Sequence, residues 1–281
     1  MNELALFAGI GGIGLGLRRA FERRGLPFRT VCYVEWDDYC IEVLKARMRD
    51  GLLDDAPIWG DITTFDGRPW AGCVDIITGG FPCQDISIAG RGAGLEGERS
   101  GLFFELMRVV REVRPGFVLV ENLPALLIRG FGRVAAEMAA SGYDLQWDCI
   151  PAAAVGAYHP RDRIFILAHL DQRQRIREKK QIPTRRNAAD ASHKIISYAD
   201  RTRQLQQKRV KQNIWGRFGD SHKSDAMRIG TSQWSIEPRV GRVVYGVPRG
   251  MDRIRALGNA VVPQVAEYVG ERLIEWLDSG G

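Results

Sequence analysis

A doubly wound, mostly parallel α/β sheet carrying a small basic second lobe is the architecture that this 281-residue sequence predicts. Three observations lead there. Short, nearly continuous apolar runs alternate with amphipathic stretches of helical length, as strands buried on both faces of a sheet alternate with crossover helices. A glycine-rich turn, Ala8-Gly9-Ile10-Gly11-Gly12-Ile13-Gly14, follows the first run directly. The basic charge is confined to one stretch: residues 171–237 hold 16 Lys and Arg against 7 Asp and Glu, a net of +9 that leaves the remainder at −3 of the total of +6.

At 45% hydrophobic and 26% charged, the chain has enough apolar material for one large domain, with or without a small lobe. Its five cysteines are odd in number and lack CxxC spacing, which fits a reducing compartment and argues against a disulfide framework or a zinc site. No apolar run is long enough to cross a bilayer, and Met1-Asn2-Glu3 does not open a secretory leader, so a cytoplasmic protein without membrane or metal partners is expected. A near-neutral body with one basic insert points to a polyanionic partner, a solvated charged segment being the alternative.

Leu4–Phe7 is the first strand, and a helix through about Arg24 follows, with Leu15, Leu17, Ala20 and Phe21 inward. Thr30 to Glu35 is the second strand, and the next helix runs to about Arg47. The order strand, glycine loop, helix, strand, acid describes a nucleotide-binding half-sheet. Its glycines admit a ligand to the backbone, and Glu35 is suited to ribose hydroxyls. Gly9, Gly11 and Gly14 also satisfy GxGxxG, which keeps a dinucleotide enzyme open. Gly60-Asp61-Ile62-Thr63 is read as closing a third short strand and bringing a second acid to the same pocket.

Val74 to Phe81 is the fourth strand, and it empties into Gly79-Gly80-Phe81-Pro82-Cys83-Gln84-Asp85-Ile86-Ser87. A cysteine past the carboxyl end of such a strand, on a backbone stiffened by Pro82, is a candidate nucleophile. A small core residue is the competing reading. Residues 89–100, rich in glycine and charge, suit a surface loop or lid. A helix over 101–113 leads to the fifth strand, Phe117–Val120, which ends at Glu121-Asn122-Leu123-Pro124. A carboxylate there is costly to bury unless partnered, and neighbouring strand ends would set Glu121 beside Cys83. The helix Phe131–Ser141 comes next. Leu145–Val155 and Arg163–His169 read as a strand pair, with Arg161 and Arg163 pointing to one side for a phosphate or a base. Periodicity fades from 171 to 237 and resumes before a last helix at about Gln264–Leu277, so the basic stretch is an insertion and not a tail.

Taken together these motifs resemble the cytosine-5 DNA methyltransferases, over nearly everything outside 171–250. Phe7-Ala8-Gly9-Ile10-Gly11-Gly12 is similar to that family's S-adenosylmethionine loop, Gly79 to Gln84 to its nucleophile motif, and Glu121-Asn122-Leu123 to its catalytic Glu-Asn-Val. Arg161-Asp162-Arg163 is similar to its Arg-x-Arg, and Gly258-Asn259-Ala260-Val261-Val262-Pro263 to its C-terminal cofactor motif. Two features depart from the family: His159 stands where a glutamine is usual, and the motif that normally precedes Gly258-Asn259 is not found.

The resemblance implies a Rossmann-like S-adenosylmethionine-dependent fold, with 1–170 and 251–281 as catalytic and cofactor-binding domain and 171–250 as a short target-recognition lobe. It implies methyl transfer to C5 of a flipped-out cytosine in duplex DNA. Cys83 would be the nucleophile, Glu121 the group acting at N3 and Arg163 the holder of the base carbonyl. Arg161 would support the catalytic loop, and Asn122 would orient Pro82. Phe7, Gly9, Gly11, Glu35, Trp36, Asp61, Ile62, Leu102, Asn259 and Val261 would surround S-adenosylmethionine. Gln84, Ser87, Arg99, Arg185, Arg186, Lys208 and Arg209 are the candidate DNA contacts. A monomer acting beside a cognate restriction endonuclease is the expected setting. A tRNA cytosine-5 methyltransferase and a catalytically degenerate DNA-binding regulator are the competing functions.

Overall fold

A computed structural model describes residues 1–82, 101–170 and 250–278. Seven strands form one sheet: β1 (Asn2–Leu6), β2 (Arg29–Val34), β3 (Ile58–Trp59), β4 (Ile76–Gly79), β5 (Phe117–Asn122), β6 (Tyr143–Pro151) and β7 (Asp162–Leu170). They lie in the order β3-β2-β1-β4-β5-β7-β6. The pairs from β3 to β5 are parallel, and β7 runs antiparallel to both β5 and β6. The helices are α1 (Gly12–Arg23), α2 (Asp38–Arg49), α3 (Leu102–Val113), the single turn α4 (Leu126–Arg129), α5 (Phe131–Ala140), α6 (Gly250–Asn259) and α7 (Pro263–Asp278). Strand order reverses between β1 and β4, and the crevice beyond their carboxyl ends is where doubly wound sheets hold ligands.

The strands are buried on both sides because their side chains alternate between two helical layers. Val118 and Val120 of β5, with Ile164 and Ile166 of β7, meet Phe103, Leu106 and Val110 of α3. Leu119, Phe165 and Leu167 face the opposite layer, Leu17 and Phe21 of α1 with Val265, Val269 and Leu273 of α7. Helices α1 and α7 approach closely, since a methyl group on Gly16 would meet the Pro263 carbonyl oxygen and one on Gly270 would lie 2.8 Å from Ala20 Cβ. One carboxyl lies inside this core. Glu3, fully buried on β1, accepts hydrogen bonds from the hydroxyls of Thr30 and Thr78, one on each neighbouring strand. Burial raises its pKa above the ordinary value.

Several sequence expectations need correction. The third strand ends at Trp59, before Gly60, and pairs only with β2; Asp61 instead accepts from the Thr63 N–H at 2.9 Å and caps a 3-10 turn over Ile62–Thr64. The sixth strand begins at Tyr143 and stops at Pro151, because Ala152–Val155 winds into a 3-10 turn closed by Gly156 at φ 91°. Leu277, which the helical spacing of the last segment puts on its apolar face with Val269 and Leu273, is 38% exposed at the end of α7. Helix α6 is not anticipated, since Ala256 is its one buried residue among 251–259. The expected basic lobe, apart from Gly250, lies outside the described residues.

Candidate active site

The site is built where β4 and β5 end side by side. Gly79 lies opposite Val120 in parallel register, so the chain leaving β4 passes Glu121. Strand β5 runs two residues further than its apolar stretch, and this carries Glu121 and Asn122 into the sheet opposite Phe165 and Ile164. Alternation then sends the two polar side chains to opposite faces. Asn122 turns toward the α3 layer, where its Nδ2 donates to the Phe81 carbonyl at 3.3 Å while its Oδ1 accepts from the Leu123 N–H at 2.8 Å. It thereby holds the residue before Pro82.

Glu121 turns toward the other face, where Arg163 is its diagonal neighbour on β7. The Arg163 guanidinium meets it, Nε to Oε1, at 3.0 Å. Only 6% of Glu121 is exposed. Burial pushes its carboxyl up to about 7, although Arg163 and Arg161 pull the other way. Gly80 makes the close packing possible: a Cβ there would lie 2.8 Å from Glu121 Oε2. Sequence reasoning did not single out Gly80 for this steric role; the Gly-Gly pair before the cysteine was the available signal.

The two arginines line the same crevice but take different partners. Arg161 precedes β7 and sits at φ 36°, in the left-handed region, so strand alternation does not reach it. Its Nη2 donates to the carbonyls of Leu257 at 3.2 Å and Gly258 at 2.7 Å, and also to that of Ala260. Its described contacts brace the C-terminal motif, while Arg163 faces Glu121. Arg161, Arg163, Ile150, Phe165, Val261, Val262 and Val265 line a narrow crevice open to solvent.

The glycine loop after β1 forms the other wall. Phe7, Gly9 and Gly11 have φ of 50°, 55° and 83°. Glu35, at the end of β2, accepts from the Gly9 N–H at 2.6 Å and the Asp37 N–H at 2.8 Å, which ties the loop to the next strand end. Burial raises the Glu35 pKa against these hydrogen bonds. A methyl on Gly9 would meet nothing within 4 Å, so open space lies above that residue, whereas one on Gly12 would strike the Val261 carbonyl at 2.5 Å. The segment around Val261 therefore crosses directly over the start of α1. Trp36 stands 76% exposed between Glu35 and Asp37. Asp61 is half-buried, Ile62 is buried in the core beside α3, and Leu102 is half-buried at the start of α3. Asn259 is exposed at the end of α6, two residues before Val261.

The structure thus brings Pro82, Glu121, Asn122, Arg161 and Arg163 to one end of the sheet, with Phe7, Gly9, Gly11, Glu35 and Trp36 at the ends of β1 and β2 and Val261 beside Arg161 and Arg163. Cys83, Gln84, Ser87, Arg99, Arg185, Arg186, Lys208 and Arg209 lie outside the described residues. Among the described residues, no helix is long and apolar enough to cross a membrane, and no group of three or more His, Cys, Asp or Glu is placed to hold a metal ion.

Comparison with known proteins supports one assignment. The sequence profile of the C-5 cytosine-specific DNA methylases matches residues 1–241. The type II methyltransferase M.CviJI of Paramecium bursaria Chlorella virus IL3A is 36% identical over 168 residues, covering 59% of this chain and 42% of that protein. M.NgoBI of Neisseria gonorrhoeae is 34% identical over 174 residues, covering 60% of this chain and 51% of its own. The chain spans about half, or less, of the length of these curated relatives. In structure it is similar to the Dnmt2 methyltransferase of S. pombe, with a TM-score of 0.58, 16% identity and 99% of each chain covered, a likeness of fold. With the profile matched over residues 1–241, the chain belongs to the C-5 cytosine-specific DNA methylase family.

Proposed function

We propose that this protein methylates C5 of cytosine in duplex DNA, using S-adenosylmethionine, with residues 1–170 and 251–281 as the catalytic body and 171–250 as the recognition lobe. The observation that carries the reading is the buried Glu121–Arg163 pair at the end of β5, packed on Gly80 three residues before Cys83. The glycine loop fits the cofactor: open space over Gly9 admits a ligand to the backbone, and Glu35 braces that loop at its ribose side. Phe7, Gly9, Gly11, Glu35, Trp36, Asp61, Ile62, Leu102, Asn259 and Val261 would hold it. When bound, S-adenosylmethionine supplies an electrophilic methyl group on sulfur.

The residues divide the remaining work. Cytosine C5 is a poor nucleophile, and addition of the Cys83 thiolate to C6 makes it an enamine carbon. Glu121, buried with a pKa about 7, is suited to deliver or share a proton at N3 as that bond forms. Arg163 holds the Glu121 carboxylate and the base carbonyl together. Asn122 fixes Phe81, and so the entry to Pro82 and Cys83. After methyl transfer, loss of the C5 proton to a base lets the thiolate leave with its electron pair, which restores the aromatic ring and the free enzyme. An unperturbed thiol titrates near about 8.5, so the site must favour the thiolate or take its proton during attack.

Incubation with methyl-labelled cofactor and mixed-sequence duplex DNA tests the reading. Label on 5-methylcytosine, with release of S-adenosylhomocysteine, is expected. Label on adenine, or preferential methylation of tRNA in a parallel reaction, would replace it with another methyltransferase; DNA binding with no cofactor affinity would replace it with a regulator.

A further inference from the structure

Two of the segments that contribute proposed cofactor residues, the Glu35–Asp37 turn and the segment entering Val261, lie more than 200 residues apart in sequence, and the described contacts show how they are joined. Asp37 caps α2, its Oδ1 accepting from the Cys40 N–H at 3.0 Å. Its other oxygen, Oδ2, accepts from Arg255 Nη2 at 2.6 Å, across 218 residues of sequence. Arg255 lies on α6, three residues before the Gly258-Asn259 motif, and also reaches Asp252 Oδ1 at 3.3 Å. The same segment is held from the far side by Arg161, through the 257, 258 and 260 carbonyls, and its Val261 carbonyl seats over Gly12. Glu35 completes the circuit by binding both the Gly9 and Asp37 N–H groups. These contacts link residues proposed for the cofactor into one closed circuit, in which Trp36 is left exposed between two fixed neighbours.

We propose that Arg255 is a positioning residue for the cofactor: its ion pair with Asp37 closes this circuit and so raises cofactor affinity. The inference rests on the cofactor reading above. A partly exposed ion pair contributes little by itself, and here the side chains are 58% and 29% exposed. Its effect on a ligand arises because a site already held in shape loses less freedom when it binds. Arg255 need not touch the ligand. Because the pair is exposed to solvent, salt screens it.

The test is calorimetric titration of the full chain, without DNA, using S-adenosylhomocysteine, which lacks the sulfonium charge and so keeps direct ligand electrostatics small. Titrations at low and high salt cover the parent, Arg255→Ala, Arg255→Lys, Asp37→Asn and the Arg255→Ala/Asp37→Asn double variant, each checked for an unchanged melting temperature. The expected result is a weakening of roughly two- to fivefold for Arg255→Ala. Arg255→Lys, which keeps the charge and the fold, lies between it and the parent. The double variant is no weaker than Asp37→Asn alone, and the parent's salt dependence is reduced in every variant that breaks the pair. Binding by Arg255→Ala or by the double variant with the parent's affinity and salt dependence overturns the inference while leaving the cofactor reading intact. Absence of binding by the parent overturns the cofactor reading, and this inference with it.

Discussion

At the scale of single residues, the proposed chemistry centres on Glu121. Its carboxyl is withdrawn from water and faces one guanidinium, so its proton is held to about pH 7. If protonated Glu121 serves N3, kcat/KM should fall as pH rises through about 7, and Glu121→Gln should remove that limb while lowering the rate about 100-fold or more. A pH–rate profile of the two proteins checks this. The same shift has a sign for stability. The folded-state pKa lies above the unfolded value near 4.5, so the folded protein binds the extra proton between those values and stability falls as pH rises across that window. Urea titrations at pH 5 and pH 8 should show a smaller difference for Glu121→Gln than for the parent. Gly80→Ala supplies a steric test of the same group. A methyl group 2.8 Å from Oε2 must displace the carboxylate, with an expected rate loss of roughly 10- to 100-fold and an unchanged cofactor affinity.

Strand ends and the C-terminal helices decide the arrangement at the next scale. Arg161 is an anchor between β7 and the turn joining α6 to α7, and its removal leaves three carbonyls without that donor. Arg161→Ala should destabilise the fold by about 1–3 kcal/mol in urea, with Arg161→Lys recovering part of the loss. Leu273→Ala, in the fully buried seam of α1 and α7, should cost more, about 2–5 kcal/mol. These elements also show what the sequence can and cannot reveal. Leu4–Phe7 and Phe117–Val120 were legible because strands covered on both faces leave an unbroken apolar run. Strand β3 is two residues at the sheet edge, too short for any period, and the acid after it belongs to a turn. Helix α6 spaces Met251, Ile254 and Leu257 three apart, yet all three stay exposed and Ala256 alone among 251–259 is buried, so it is not one of the core-facing helices that the apolar pattern marks. The site followed the same division. The place of Glu121 was legible from its strand end, whereas the roles expected of Arg163 and Asn122 came from the family resemblance. The carbonyl partners of Arg161 were not legible, since a positive φ at an arginine has no local sequence signal.

At the scale of the whole molecule, charge divides the labour. Outside residues 171–237 the chain carries a net −3, and on the proposed function the +9 excess within them should carry the attraction for DNA phosphate. Each phosphate contact adds about 0.9 to the negative slope of log affinity against log salt. Reversing Arg185, Arg186, Lys208 and Arg209 should therefore weaken DNA binding and flatten that slope, with cofactor affinity retained; binding and slope equal to the parent's would remove this stretch from the DNA interface. The proposed methyl transfer depends on one bond, between the Cys83 sulfur and C6 of cytosine. Duplex DNA containing 5-fluorocytosine measures it most directly, because fluorine at C5 blocks the elimination that would release the enzyme. With S-adenosylmethionine present, the account predicts a denaturation-resistant protein–DNA complex for the parent, mapped to Cys83 by peptide mass, and none for Cys83→Ser. A complex that forms equally with Cys83→Ser, or turnover of cytosine DNA by that variant, would contradict it.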